Sequence, residues 1–248
     1  MAAEGVGGIR TGDTIDIEGA YQHRALTEGF VVQRFWHRLK TVTIERVAPP
    51  EPQMRVLDLG CGSGVVSAYL AERSRTVDAV DANLRAIAYA RGAFPRENLT
   101  FHLARADALP FPEGRFDRVY ILEVLEHLYW EQLRTLAAEV HRLLAPAGTV
   151  FLTAPNYHSP WPVLEATVDL LRFAPHMEGE QHVSRPTPRR LRELADASGF
   201  DTLVQGRFAG LAPFSSIVSW RLAETIDRAE TRIGCPLGSL LYALWRKR

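Results

Sequence analysis

The chain has 248 residues, 46% of them hydrophobic and 23% charged, which suits one packed α/β domain with embellishments and argues against wholesale disorder. Lysine plus arginine equals aspartate plus glutamate at 29 each, so no global field favours nucleic acid or an anionic surface. Two distant cysteines, no apolar run near the ~20 residues that span a bilayer and no signal-peptide order at the N-terminus point to a soluble, cytoplasmic protein without a disulfide framework.

Residues 1–20 are rich in glycine among polar neighbours and read as a flexible leader. Residues 21–50 read as an N-terminal helical cap. Within it Phe30, Val31, Phe35, Leu39, Val42 and Val47 recur at three- and four-residue steps, which predicts one helix from about Thr27 to Val47, ended by Pro49, Pro50 and Pro52. From 51 to 248 strands and helices alternate. Strands are expected at Arg55–Leu59, Thr76–Val80, Leu99–Ala104, Phe116–Leu122 and Thr149–Thr153, with helices at Val65–Arg73, Leu84–Arg91 and Trp130–Leu144 between them. That alternation predicts right-handed crossovers and a parallel sheet with helices on both faces. Residues 156–186 interrupt it with aromatics, prolines and histidines and read as an acceptor-side insertion. A helix at Thr187–Ser198, a strand at Phe200–Arg207 and a helix at Phe214–Ile233 follow, the last forming a helical insertion over 209–236. Periodicity leaves Gly238–Trp245 open between a strand and a short helix.

The strongest motif is Val56-Leu57-Asp58-Leu59-Gly60-Cys61-Gly62-Ser63-Gly64, where a buried strand runs into a glycine turn and a helix begins. Glycines there let backbone approach a ligand at the carboxyl end of a central strand. The loop is one residue tighter than the dinucleotide fingerprint and lacks the Lys-Ser/Thr of a phosphate loop, so a ligand without phosphate fits better than NAD. Asp81, at the end of the second strand, is set to accept from two ribose hydroxyls; the competing reading is a helix cap, a task that Asn83 can perform instead. Asp107, in Ala106-Asp107-Ala108-Leu109, can accept from an exocyclic adenine amine while Ala108 or Leu109 packs on the ring; an ordinary aspartate turn is the alternative.

Together these segments resemble class I methyltransferases, especially the type-11, ubiquinone-biosynthesis-like branch. VLDLGCGSG (56–64) is similar to the family's first motif and VDAVDAN (77–83) to its second. ADALPFPEGRFDRVY (106–120) resembles the adenine segment, ILEVLEHL (121–128) the stretch after the fourth strand, and LLAPAGTVFLTAPN (143–156) the fifth strand with its approach. The resemblance covers roughly 50–156, with a weaker continuation over 182–207. It implies a Rossmann-like, seven-stranded, mostly parallel α/β sheet with an antiparallel last strand, making Gly238–Trp245 the seventh, and insertions after strands five and six. It implies S-adenosylmethionine as cofactor, S-adenosylhomocysteine as product, and a pocket of Asp58, Gly60, Cys61, Gly62, Asp81, Ala82, Asn83, Asp107, Ala108, Leu122 and Glu123.

Such a cofactor supplies the leaving group, so the protein positions the acceptor, excludes water and removes a proton where the acceptor needs it. His127, just after the fourth strand, and His182, in the insertion, are the candidate bases; a turn-forming role and a surface histidine are the respective alternatives. Tyr21, Trp36, His37, Asn156 and His158 are candidate acceptor contacts. The irregular spacing of the histidines and acids argues for no metal. The reading is therefore methyl transfer to a small-molecule acceptor, with O-methylation of a hydroxyl or carboxyl expected. N- or C-methylation of a lipid-like acceptor, or cofactor binding without catalysis, are the alternatives. No nucleic-acid partner is expected; a homodimer stays open, as does a peripheral membrane contact, which is not favoured.

Overall fold

The structure is a computed structural model, described here for residues 18–106, 108–162 and 182–248. Asp107, nearly all of the expected leader and most of the 156–186 insertion lie outside those residues. The described chain forms one sheet of seven strands: β1 (Arg55–Leu59), β2 (Thr76–Asp81), β3 (Leu99–Leu103), β4 (Phe116–Leu122), β5 (Leu144–Pro155), β6 (Phe200–Phe208) and β7 (Leu240–Lys247). Their order is β3-β2-β1-β4-β5-β7-β6. The first five run parallel, and β7 lies antiparallel between β5 and β6. This is the sheet that the resemblance implied. Strand order reverses between β1 and β4, and ligands of open α/β sheets bind in the crevice beyond such a switch point.

The central strands are continuous apolar runs because both of their faces are covered. Leu57, Leu59, Val119, Ile121, Val150 and Leu152 pack toward α5 (Trp130–Leu143) and α6 (Pro188–Ala197). Val56, Tyr120 and Phe151 point the other way, toward α3 (Val65–Ala71), α4 (Leu84–Ala93) and the end of α2 (Val31–Val47). Tyr120 donates its hydroxyl to Ala48 O (2.7 Å) and Arg118 donates to Pro49 O (2.6 Å), tying the proline-terminated end of α2 to the sheet. A third cluster joins Phe35 and Leu39 of α2 to Phe208, Ala212 and Ala223, beneath α7 (Ala212–Ser215) and α8 (Trp220–Arg232). No helix among the described residues is long and apolar enough to cross a membrane.

Three expected boundaries move. The helix expected from about Thr27 starts at Val31 as α2, and a separate short helix, α1 (Tyr21–Thr27), precedes it. Gly29 causes the break: its amide turns back to Arg24 O, and a Cβ there would sit 2.4 Å from Ala25 O. The helix expected over Phe214–Ile233 is two pieces, because Ser219 adopts an extended conformation and caps α8 by accepting from Leu222 N. The fifth strand begins at Leu144, directly on the end of α5, and reaches past Pro146 because Leu144 already pairs with Phe116.

Candidate active site

The chain leaves β1 through Gly60, Gly62 and Gly64, all in the left-handed region with φ of 80°, 50° and 83°. Gly60 and Cys61 donate their amides to Val80 O, folding the loop over the end of β2. There Asp81 accepts from Gly62 N on one oxygen and Asn83 N on the other, both at 2.8 Å. Asn83 caps α4, accepting from Arg85 N and Ala86 N, so the capping alternative for Asp81 falls to its neighbour. Ala82 is half-buried between them. Asp58, which the resemblance placed in the cofactor pocket, is buried beneath the loop, where one carboxylate oxygen accepts from Ser67 Oγ at 2.6 Å. Burial pushes its carboxyl up to about 7; the Ser67 bond opposes this and the Asp81 charge adds to it. Cys61 is buried too, and burial raises its thiol well above the usual range. Ala108 is exposed, whereas Leu109 packs into the core rather than lining a ring site.

The N-terminal helices close over this loop. Gln22 Oε1 of α1 accepts from Ser63 N at 3.0 Å, and its side chain fills the space that a Cβ on Gly62 would need. Tyr21 accepts from Gln33 at 3.4 Å. On α2, Trp36 lies 5.6 Å from Trp161, centroid to centroid, forming an aromatic wall. His37 is half-buried, and burial together with the adjacent Lys40 holds its imidazole well below the usual histidine range. Lys40 itself is buried and reaches Glu123 Oε2 at 2.7 Å. The sequence reading gave Lys40 no role. Its signal was a lysine between Leu39 and Thr43 on a face otherwise turned to the core.

At the end of β4, half-buried Leu122 leads to Glu123, whose φ of 54° swings the chain outward while its amide stays on Thr153 O. The next turn, Leu125–His127, presents Glu126 and His127. Glu126 is buried, and its Oε2 has no hydrogen-bond partner among the described residues. Burial pushes its carboxyl up to about 8; nearby Glu123 adds to this, and His182 and Lys40 oppose it. Ser184 anchors the returning chain by donating its amide to Glu126 O and its hydroxyl to Leu125 O. That strap sets His182 beside His127, ring centroids 5.1 Å apart. His182 Nδ1 is 3.0 Å from the Tyr157 hydroxyl, a partner that the sequence reading missed. The two candidate bases, 55 positions apart in sequence, thus meet.

Glu126, His127 and His182 bring ligand-capable atoms within 4.8 Å of one another, a grouping that sequence spacing did not reveal. Two other expected contacts flank Tyr157. His158 is exposed. Asn156 is fully buried, donates its amide to Gly238 O at 2.9 Å and accepts from His158 N at 3.1 Å. Asn156 therefore holds the turn after β5 rather than facing an acceptor.

Residues 56–148 match the model of a family described as a methyltransferase domain. An uncharacterised methyltransferase of a Synechocystis species is 36% identical over 164 residues, 64% of this chain and 72% of that one. A probable S-adenosylmethionine-dependent methyltransferase of Mycobacterium tuberculosis is 35% identical over 126 residues, 50% of this chain; the match spans only 44% of that longer relative. The crystal structure of a methyltransferase from Archaeoglobus fulgidus superposes with a TM-score of 0.64 at 19% identity, covering 92% of this chain and 99% of that one. With the glycine loop, the acidic end of β2 and the antiparallel β7 in a single sheet, the chain belongs to the class I S-adenosylmethionine-dependent methyltransferases.

Proposed function

We propose that the chain methylates a small-molecule acceptor at oxygen, with His127 and His182 receiving the acceptor's proton. The observation that carries the reading is the convergence of Glu126, His127 and His182 at the carboxyl end of β4, beside the switch-point crevice. The donor set fits the family's cofactor. The Asp81 carboxylate, whose charge is felt at buried Asp58, makes the loop acidic, a setting that repels a phosphate and suits a cationic sulfonium ligand. Asp81 would hold the ribose, Gly60 and Gly62 would line the loop, and Asp107 would take the adenine amine. When bound, S-adenosylmethionine supplies a methyl group on a sulfonium leaving group.

The chain's own residues do the rest. Trp36 and Trp161 offer an apolar wall that suits a hydrophobic acceptor and excludes water. Tyr157 fixes the His182 ring through Nδ1, and the packed His127 ring limits its rotation. The protonated Glu126 carboxyl keeps net negative charge off the base pair near neutral pH. A proton leaving a hydroxyl acceptor finds two imidazoles in reach, whereas an amine or carboxylate acceptor would not need them.

Titration with S-adenosylhomocysteine, with NAD as control, tests the cofactor half; binding of NAD alone overturns it. A panel of phenols, alcohols, carboxylic acids and amines then tests the acceptor half. Hydroxyl acceptors are expected to turn over, and His182→Ala to lower kcat by about 10²-fold or more. Unchanged turnover in the His127→Ala/His182→Ala double variant sinks the base assignment. The same three side chains support a second reading, a divalent cation holding a chelating acceptor. Loss of turnover on chelation, restored by added metal, would favour it.

A further inference from the structure

The hairpin of α7 and α8 turns a face outward that the proposed active site does not use. Leu211, Phe214, Ile217 and Val218 follow one another at helical steps and are 56%, 39%, 60% and 77% exposed. Leu222 and Ile233 extend the apolar surface along α8 at 40% and 71%. The two segments lie side by side: Leu211 donates its amide to Glu230 near the end of α8, while Val218 leads through the Ser219 cap into its start.

The charges of α8 are sorted across the helix. Its three acids turn inward. Glu224 pairs with Arg38 at 3.0 Å, Asp227 pairs with Arg46 at 2.5 Å, and Glu230 accepts from the amides of Leu211 and Ala212. Arg221, Arg228 and Arg232 turn outward, seven and four residues apart and hence on one face. None of the three pairs with a carboxylate among the described residues; Arg228 meets only the Thr225 hydroxyl. The balanced charge of the whole chain therefore conceals a cationic row on α8, with the exposed Leu222 and Ile233 one helical step from Arg221 and Arg232.

We propose that this hairpin docks the protein on an anionic lipid bilayer, with the apolar side chains entering the interfacial zone and Arg221, Arg228 and Arg232 meeting lipid phosphates. Arginine suits the role, since its apolar stem lies along the acyl boundary while the guanidinium stays with the headgroups. A second copy of the chain fits the face less well. A two-fold contact lays the patch on itself and sets arginine against arginine. The inference goes beyond methyl transfer and stands whether or not the acceptor is a lipid.

Flotation of the full chain with vesicles tests it, comparing phosphatidylcholine alone with phosphatidylcholine plus phosphatidylglycerol. The wild type is expected to float with the anionic vesicles, less so as salt is raised, and to stay down with neutral ones. The triple variant R221A/R228A/R232A should partition about a hundredfold more weakly. The pair Ile217→Ser and Val218→Ser should also weaken partition. Unchanged S-adenosylhomocysteine affinity and melting temperature in both variants establish that the fold is intact. Absence of wild-type flotation on anionic vesicles overturns the proposal, as does partition that the substitutions leave unchanged. A lipid-free dimer dissolved by these substitutions, or an acidic protein that alone competes for the face, reassigns it.

Discussion

Glu126 shows how far a side chain's meaning depends on its neighbours. In sequence it is one acid of the Glu126-His127 pair; in the fold it is a buried carboxyl raised to about 8, against 4.5 for the free side chain. Between those values the folded state holds a proton that the unfolded chain releases. Its contribution to stability is thus full below about 4.5 and lost as pH rises through about 8. The wild-type melting temperature should fall across that window, and Glu126→Gln should flatten the decline and melt higher than wild type at pH above about 8. A wild-type slope that survives unchanged in the variant would refute the protonated carboxyl. Asp58, raised to about 7, slopes the same way. Asp81 is assigned by the proposed function to ligand binding. Asp81→Ala is expected to weaken S-adenosylhomocysteine binding by about tenfold to a hundredfold, the worth of charge-assisted hydrogen bonds, and an unchanged dissociation constant would remove it from the site. Asp81 and His127 were legible because local chemistry and strand position mark them. Tyr157, Gln22 and Lys40 were not, because each acts through a partner more than 40 positions away or across the chain's return at Ser184.

The glycine loop depends on both its own backbone and the turn after β4. Gly60 has φ of 80°, and a Cβ there would sit 2.2 Å from Val124 Cγ2. Gly60→Ala should therefore cost about 2–3 kcal/mol in urea unfolding, from left-handed strain and overpacking together. A loss near zero would mean that the two turns can part freely. Asn83→Ala removes the α4 cap and should cost about 1 kcal/mol while leaving the Asp81 carboxylate in place. Elements with a strong period and a clear stop were legible, as with β1, α3 and α5. Ser219 interrupts an apolar pattern that carries on across the break, so periodicity joined what backbone geometry divides, and α1 went unread because it buries only Ala25 and shows no apolar stripe.

Across the whole molecule, α2 is the beam between the sheet and the α7–α8 hairpin. Arg46 of α2 reaches Asp227 of α8, which is buried, and the Thr231 hydroxyl at 2.9 Å. Arg46→Met strands that buried carboxylate and should cost about 3 kcal/mol, whereas Arg46→Met with Asp227→Leu should recover most of it. If the single variant is as stable as wild type, water already reaches Asp227. The parallel half of the sheet was legible from alternation of strands and helices. The strand order β5-β7-β6 was not, since no local pattern says that the seventh strand enters between two earlier ones. That insertion gives synthesis an order. β6 hydrogen-bonds to β7 and to no other strand, so it has no sheet to join while residues 240–247 are still within the ribosome. A nascent chain stalled after Phe208 leaves one edge of β5 and both edges of β6 bare, the kind of surface that invites aggregation. β7 is thus the strand that locks β6 to the rest of the sheet, and the sheet cannot close before residues 240–247 are free to fold.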